Sequence, residues 1–260
     1  MTADLSGTVS LVTGAARGIG QAIADRLAAN GSTVYYTDLD AGQSEAAAAK
    51  TPNGRGLKLD VTDTADVASV IAGITADHGR LDLLVNNAGI NTATDRKPID
   101  GYSRDDWDRI LTVDLTAVFE MSKAAAAVMR TQGRGRIVNI ASIAGLVPLR
   151  LQSGFVAAKA GVVNLTKSMA LELGPHGILV NGIAPGSILT VGTRQLFYGD
   201  GGGYKESARR MLDHVPLGRP GTVDEIAVAA LFLADPENTY MNGHILVVDG
   251  GWTAGYTRDF

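Results

Sequence analysis

Residues 9–31 read VSLVTGAARGIGQAIADRLAANG, and the fold follows from how this stretch divides. A short run rich in β-branched residues ends in a glycine-rich turn, and the turn passes directly into an amphipathic helical pattern. The pattern predicts a strand over 8–13 and a helix over 20–30. Between them Gly14, Gly18 and Gly20 are spaced Gly-x-x-x-Gly-x-Gly, with Arg17 and Ile19 in the same loop. Glycines there let the backbone turn tightly and approach a pyrophosphate at the positive end of the helix. The spacing differs from the usual Gly-x-Gly-x-x-Gly fingerprint, so the order strand, loop, helix carries the reading.

Further along, the same alternation repeats. Strands are expected over 33–38, 56–60, 81–86, 136–141, 179–183 and 244–248, and helices over 41–50, 65–77, 107–130, 154–172 and 223–233. Such alternation predicts an α/β protein: a single-domain Rossmann-like, doubly wound parallel sheet flanked by helices on both faces, filling residues 1–260. One stretch breaks the rhythm. Residues 187–217 hold GDGGG at 199–203 and a short polar helix candidate, too long for a plain connection and expected to form a substrate lid.

The second strand ends at Asp38, about 20 residues beyond the loop, where a carboxylate can bind the adenosine ribose hydroxyls. A solvated strand-end acid is the plainer alternative. Arg17 would suit a ribose 2′-phosphate, but the Asp38 carboxylate would repel one, so NAD is expected over NADP.

Bulk composition narrows the classes of function. The chain is 45% apolar and 19% charged, with a net charge of -4 and no basic block, which speaks against nucleic acid as a partner. Cysteine is absent, so disulfides and thiolate chemistry are excluded, and the four histidines are dispersed, so no catalytic metal is expected. No stretch resembles a signal peptide or a membrane span, and a soluble cytoplasmic protein is the expectation.

The opening TGAARGIG, Asp60-Val61, Asn86-Asn87-Ala88-Gly89 and Pro185-Gly186 occur in order, followed by LGRPGTVDEIAVAALFLADPENTYMNGHILVVDGG over 217–251. Together they resemble the short-chain dehydrogenase/reductase family across essentially the whole chain. The resemblance implies one dinucleotide, hydride transfer at its nicotinamide, and a homotetramer built on the long helices at 107–130 and 154–172. It implies Asp60 and Val61 near the adenine, and Asn86, Ala88 and Gly89 along the adenosine and its ribose. Pro185, Gly186, Ile188 and Thr190 would hold the nicotinamide end, Lys159 the nicotinamide ribose, and Ser142 would orient the substrate. On the residues alone, Asp60 equally suits a helix cap, with Thr62 competing, and Ser142 a turn former.

The match breaks inside SGFVAAK, residues 153–159. Phe155 and Lys159 lie four apart, on one helix face. The family's acid at the first of these positions is a tyrosine, and its asparagine on the preceding long helix is here Asp114. A phenol is drawn toward neutrality by an adjacent ammonium and a positive nicotinamide, and supplies or takes the proton of an alcohol–carbonyl interconversion. Phenylalanine fills the volume and does neither. Asp114 would partly cancel the Lys159 charge, weakening support for an alkoxide and favouring a cationic substrate; a simple salt-bridge role is equally open.

Three readings result. The first is an NAD-dependent alcohol or carbonyl oxidoreductase impaired by Phe155, whether native or placed there by deliberate replacement. The second is an imine or amine oxidoreductase, since an iminium carbon accepts hydride without a proton donor. The third is a non-catalytic dinucleotide-binding scaffold or sensor. The expected substrate is a small molecule, its pocket formed by Asn91, Ile143, Leu149, Gln152, Leu189 and Phe197. The Gln152, Asn91 and Arg150 side chains suit a polar one, such as a polyol or sugar derivative.

Overall fold

The computed structural model describes residues 1–91, 96–198 and 204–255. Its frame is a seven-stranded sheet in the order β3-β2-β1-β4-β5-β6-β9, every neighbouring pair parallel. The strands are β1 (Val9–Thr13), β2 (Thr33–Asp38), β3 (Gly54–Lys58), β4 (Leu83–Asn86), β5 (Gly135–Ile140), β6 (Ile178–Pro185) and β9 (Ile245–Val248). A two-stranded accessory pair, β7 (Ile188–Leu189) and β8 (Gly221–Thr222), lies outside this sheet. All of β1 and β4 is buried, as strands covered on both faces require.

Helices close both faces. On one, α1 (Gly18–Ala29), α2 (Ala41–Ala48) and α9 (Val223–Ala234) bury Ile23, Leu27, Ile226 and Leu231 against Val12, Val34 and Val138. On the other, α3 (Thr64–His78), α5 (Ala117–Gln132) and α6 (Ser153–Leu173) bury Ile71, Ile74, Met121 and Met129 against Leu11, Leu84 and Ile137. Strand order reverses between β1 and β4, and the crevice beyond the carboxyl ends of strands at such a point is where ligands bind in open α/β sheets.

Several expected boundaries shift. The helix expected over 107–130 is a composite: α4 (Arg104–Leu111), a π-helical turn (Thr112–Thr116), then α5. It starts earlier because Ser103 caps it and Asp105 and Asp106 suit its first turn. Its wide turn carries Asp114. β3 ends at Lys58 instead of 60, and β4 begins at Leu83 instead of 81. The helix after β3 is capped by Asp63, which accepts from the Ala65 and Asp66 amides, and not by Asp60 or Thr62.

The stretch expected as a lid is more structured than a loop. It contains β7, α7 (Arg194–Phe197) and α8 (Glu206–Leu212), and the Tyr198 and Tyr204 rings stack at 5.1 Å. The GDGGG segment lies outside the described residues. α9 opens with a reciprocal cap between Thr222 and Glu225, to which Arg219 adds an ion pair at 2.7 Å.

Candidate active site

The loop after β1 is shaped by backbone demands. Gly14 and Gly18 take φ of 61° and 62°, where a side chain is strained. Arg17 occupies the position before α1 without a side-chain cap, so the first amides of the helix have no partner from that residue. These amides face an elongated cleft of about 480 Å³ at the carboxyl ends of β1, β2 and β4. Gly14, Arg17, Gly18, Ile19, Asp38, Asp60, Val61, Ala88, Gly89 and Thr190 all line it. Uncapped amides, a glycine-lined approach and a strand-end carboxylate suit a dinucleotide. A slightly larger hollow, about 540 Å³, lies at the opposite, amino ends of the central strands around Arg80, Asp82, Arg134 and Arg136. It borders neither the glycine loop nor Lys159.

Six expected cofactor residues do not line this cleft, Lys159 among them. Asn86 is 3% exposed, its amide donating to Ser122 Oγ (2.9 Å) and Asn139 Oδ1 (2.8 Å) inside the core. Gly20 is buried beneath the Asn87 side chain. Pro185, Gly186 and Ile188 lie off the cleft lining, Gly186 donating to Val248 O and Ile188 beginning β7. Just beyond them, Thr190, Val191 and Gly192 bring the segment to the cleft.

Asn87 is the residue the sequence reading left without a role. Its amide group donates to the Thr13 and Gly14 carbonyls at 2.8 and 3.0 Å, while Thr13 Oγ1 accepts from the Asn87 and Ala88 backbone amides, both at 3.0 Å. These bonds tie the turn after β4 to the phosphate loop. The second asparagine of the run, one residue on from the strand end, was the available signal.

Behind Gly89 lies a buried pair of charges. Lys159, 5% exposed on α6, donates to Ile140 O at the end of β5 (3.2 Å) and pairs with Asp114 Oδ2 at 3.2 Å. Asp114 is fully buried, and its other oxygen accepts from the Ile90 amide at 2.8 Å. A Cβ added to Gly89 would lie 3.1 Å from Asp114 Oδ2 and 3.5 Å from Lys159 Nζ. The ion pair therefore lies directly behind Gly89, a residue of the cleft lining, without itself lining the cleft. The Lys159 ammonium lies 5.7 Å from the Phe155 ring centroid, within reach of an ammonium–ring attraction.

Ser142 sits where β5 gives way to a 3₁₀ turn (Ile143–Gly145), and its Oγ accepts from the Ala144 amide at 3.1 Å. The turn-forming role is thus present, and it leaves the hydroxyl proton free to point elsewhere. Gly145 packs on the Lys159 backbone: an added Cβ would meet its carbonyl carbon at 2.6 Å. That contact joins the serine turn to α6.

The expected substrate pocket is only partly assembled. Phe197 is not on its surface; it is 4% exposed and packs with Ala208, Leu212 and Val215 in a small core of the 187–217 stretch. Leu189 joins the edge of that cluster. Ile143 is also buried, Leu149 is half-buried, and Asn91 is exposed with its carbonyl accepting from Arg109. Gln152, 6% exposed at the start of α6, has a buried Oε1 with no hydrogen-bond partner. Among the described residues no cluster of three His, Cys, Asp or Glu could hold a metal, and no helix is long and apolar enough to cross a membrane.

Comparison with known proteins agrees with this geometry. Residues 14–253 match the family model described as enoyl-(acyl carrier protein) reductase. The chain is 41% identical to 3-oxoacyl-[acyl-carrier-protein] reductase FabG of Escherichia coli (strain K12), over 95% of this chain and 98% of that protein. It is 39% identical to gluconate 5-dehydrogenase of Gluconobacter oxydans (strain 621H), over 96% of each. Among solved structures, levodione reductase superposes with a TM-score of 0.88 at 34% identity, covering 96% of this chain and 99% of the other. With a matching family model, full-length relatives and a seven-stranded parallel sheet, the chain belongs to the short-chain dehydrogenase/reductase family, oxidoreductases that use a nicotinamide dinucleotide.

Proposed function

We propose that this protein is an NAD(H)-dependent oxidoreductase acting on a small alcohol or carbonyl substrate, slowed by the phenyl ring at position 155. The observation that carries the reading is the continuity of the cleft, from Asp38 past the glycine loop to Gly89 above Lys159. When bound there, the dinucleotide supplies or accepts the hydride. Asp38 would take the adenosine ribose hydroxyls and the α1 amides the pyrophosphate, with Lys159 and Thr190 toward the nicotinamide. Asp38 and Asp60 in the adenosine half support NAD over NADP, since a 2′-phosphate would meet two carboxylates and one arginine.

Ser142 can donate a hydrogen bond to a substrate oxygen but barely titrates near neutral pH. Phe155 itself has no phenol to provide the proton. The imine and amine reading gains less from Asp114 than its charge alone suggests, because Lys159 already compensates that carboxylate at 3.2 Å. It keeps one support: an iminium carbon needs no proton donor. A scaffold role leaves a structured lid with its own core unexplained. A homotetramer and a cytoplasmic location go with the enzyme reading; exposed Phe119 on α5 and Leu171 on α6, 45% and 80% accessible, support association through those helices.

Calorimetry with NADH and turnover on a panel of alcohols, ketones, amines and imines test the proposal. Binding of NADH together with carbonyl or alcohol turnover that rises when Phe155 becomes tyrosine is expected. Failure to bind NADH would remove every reading above.

A further inference from the structure

The ion pair under Gly89 has an electrostatic effect on the redox couple itself. NAD⁺ and NADH bind alike except at the nicotinamide ring, which is positive in one and neutral in the other. A lone ammonium beside that ring disfavours the oxidised form. In this chain the ammonium is not alone: Asp114 faces Lys159 at 3.2 Å, with side-chain exposures of 0% and 7%. Both groups are largely shielded from bulk water, so salt screens the pair poorly.

We infer that Asp114 sets the balance between the two cofactor states, tightening NAD⁺ relative to NADH by cancelling the Lys159 charge. This rests on the cofactor orientation proposed above, with the nicotinamide toward Lys159. The sign follows from a thermodynamic cycle. A protein that holds NAD⁺ tighter relative to NADH makes bound NADH the stronger hydride donor. The site then drives reduction by pushing hydride from the cofactor, where a phenol would have pulled by protonating the oxygen. Asp114 acts through Lys159 and the local potential, so it is a positioning residue and not a catalytic one.

The carboxylate is held for this task. Its Oδ1 accepts from the Ile90 amide at 2.8 Å, and the π-helical turn carries it to Lys159 on a different helix. An asparagine there would retain an oxygen for the Ile90 amide and lose only the charge. Unit charges separated by roughly 10 Å at an effective dielectric of about 20 alter a binding constant on the order of tenfold.

The test compares dissociation constants of NAD⁺ and NADH, by calorimetry and NADH fluorescence, for the native chain and Asp114→Asn. The ratio Kd(NAD⁺)/Kd(NADH) should rise at least fivefold in the variant, and the rise should persist in high salt. A ratio unchanged within twofold while both nucleotides still bind would overturn the inference and leave the proposed function standing. Loss of NADH binding by the native chain would instead remove the function itself. Should Asp114→Asn bind neither nucleotide, Asp114→Ser, which also removes the charge, is read by the same criterion.

Discussion

Replacing Phe155 by tyrosine restores one oxygen at the edge of a ring already in place. The ring centroid lies 5.7 Å from Lys159 Nζ, so the new phenol would share the lysine's field. A general acid–base group contributes about 10²- to 10⁴-fold, or roughly 3–5 kcal/mol of barrier at about 1.36 kcal/mol per decade. Asp114 pulls the estimate to the low end. At 3.2 Å from the ammonium, the carboxylate offsets much of the charge that would stabilise a phenolate or an alkoxide. The expected gain in kcat on alcohols or ketones is therefore about 100-fold, with NADH affinity unchanged. The pH profile gives a second readout. In the tyrosine form, alcohol oxidation should rise with pH as the phenol ionises, with the rise above neutrality because Asp114 holds the phenol near its ordinary value of about 10. The native chain should lack that limb. The assay is NADH absorbance over the substrate panel. A gain below about threefold everywhere, at every pH, would refute the assignment of position 155 to proton transfer, since even a weak general acid exceeds it.

Other consequences are more local. Asp38→Ala should weaken NAD binding by about tenfold, through lost charge-assisted hydrogen bonds, and narrow the preference over NADP; tighter NADP binding by the native chain would contradict the role given to Asp38. Gly89→Ala should crowd Asp114 Oδ2 at 3.1 Å while only touching Lys159 Nζ at 3.5 Å, costing about 1 kcal/mol in denaturant unfolding and weakening NADH binding. If neither moves, the pair is less tightly set than the contacts imply. The Asp114→Asn ratio measurement above belongs with these. Glu225, held by Arg219 and the Thr222 amide, has its carboxyl drawn down to about 2 from 4.5. Its folded value lies below its unfolded one, so its stabilisation is complete above about 4.5 and is lost as pH falls through about 2. Glu225→Gln should cost about 1 kcal/mol or less at neutral pH, because glutamine keeps an oxygen for the Thr222 amide and the lost ion pair is largely solvated. The gap between variant and native stability should close as acid protonates the native carboxyl.

The architecture was legible in the sequence because it rests on local periodicity. β-branched runs and amphipathic helical patterns alternate from the first strand to the last, and parallel strands joined by helices have few ways to pack. The phosphate loop was equally legible, since glycine there answers a backbone constraint that neighbouring residues alone impose. So was the departure at Phe155, once SGFVAAK was set beside the family pattern. Boundaries were weaker where a side chain overrode hydropathy, as Ser103 and Asp63 did by capping helices the apolar pattern begins later or Asp60 seemed to start.

What the sequence left open depends on distant segments meeting. Asn86 and Asn87 are adjacent, and either could face a ligand; the pleat sends Asn86 into the core toward Ser122 and Asn139 and leaves Asn87 to clamp the loop after β1. Phe197 is an aromatic in a lid, which suits a pocket as well as a core until α8 covers it. Asp114 and Lys159 are 45 positions apart in the chain, and no local pattern joins them. Strand order brings the end of β5, the turn after β4 and two helices to one point, and only there do a carboxylate and an ammonium become a single neutral pair. Sequence thus specified an oxidoreductase fold with a phenylalanine at position 155, because those features are written in short spacings. Tertiary structure decided the charge behind Gly89, at the proposed nicotinamide end, because Coulomb energy depends on separation in space and burial from water.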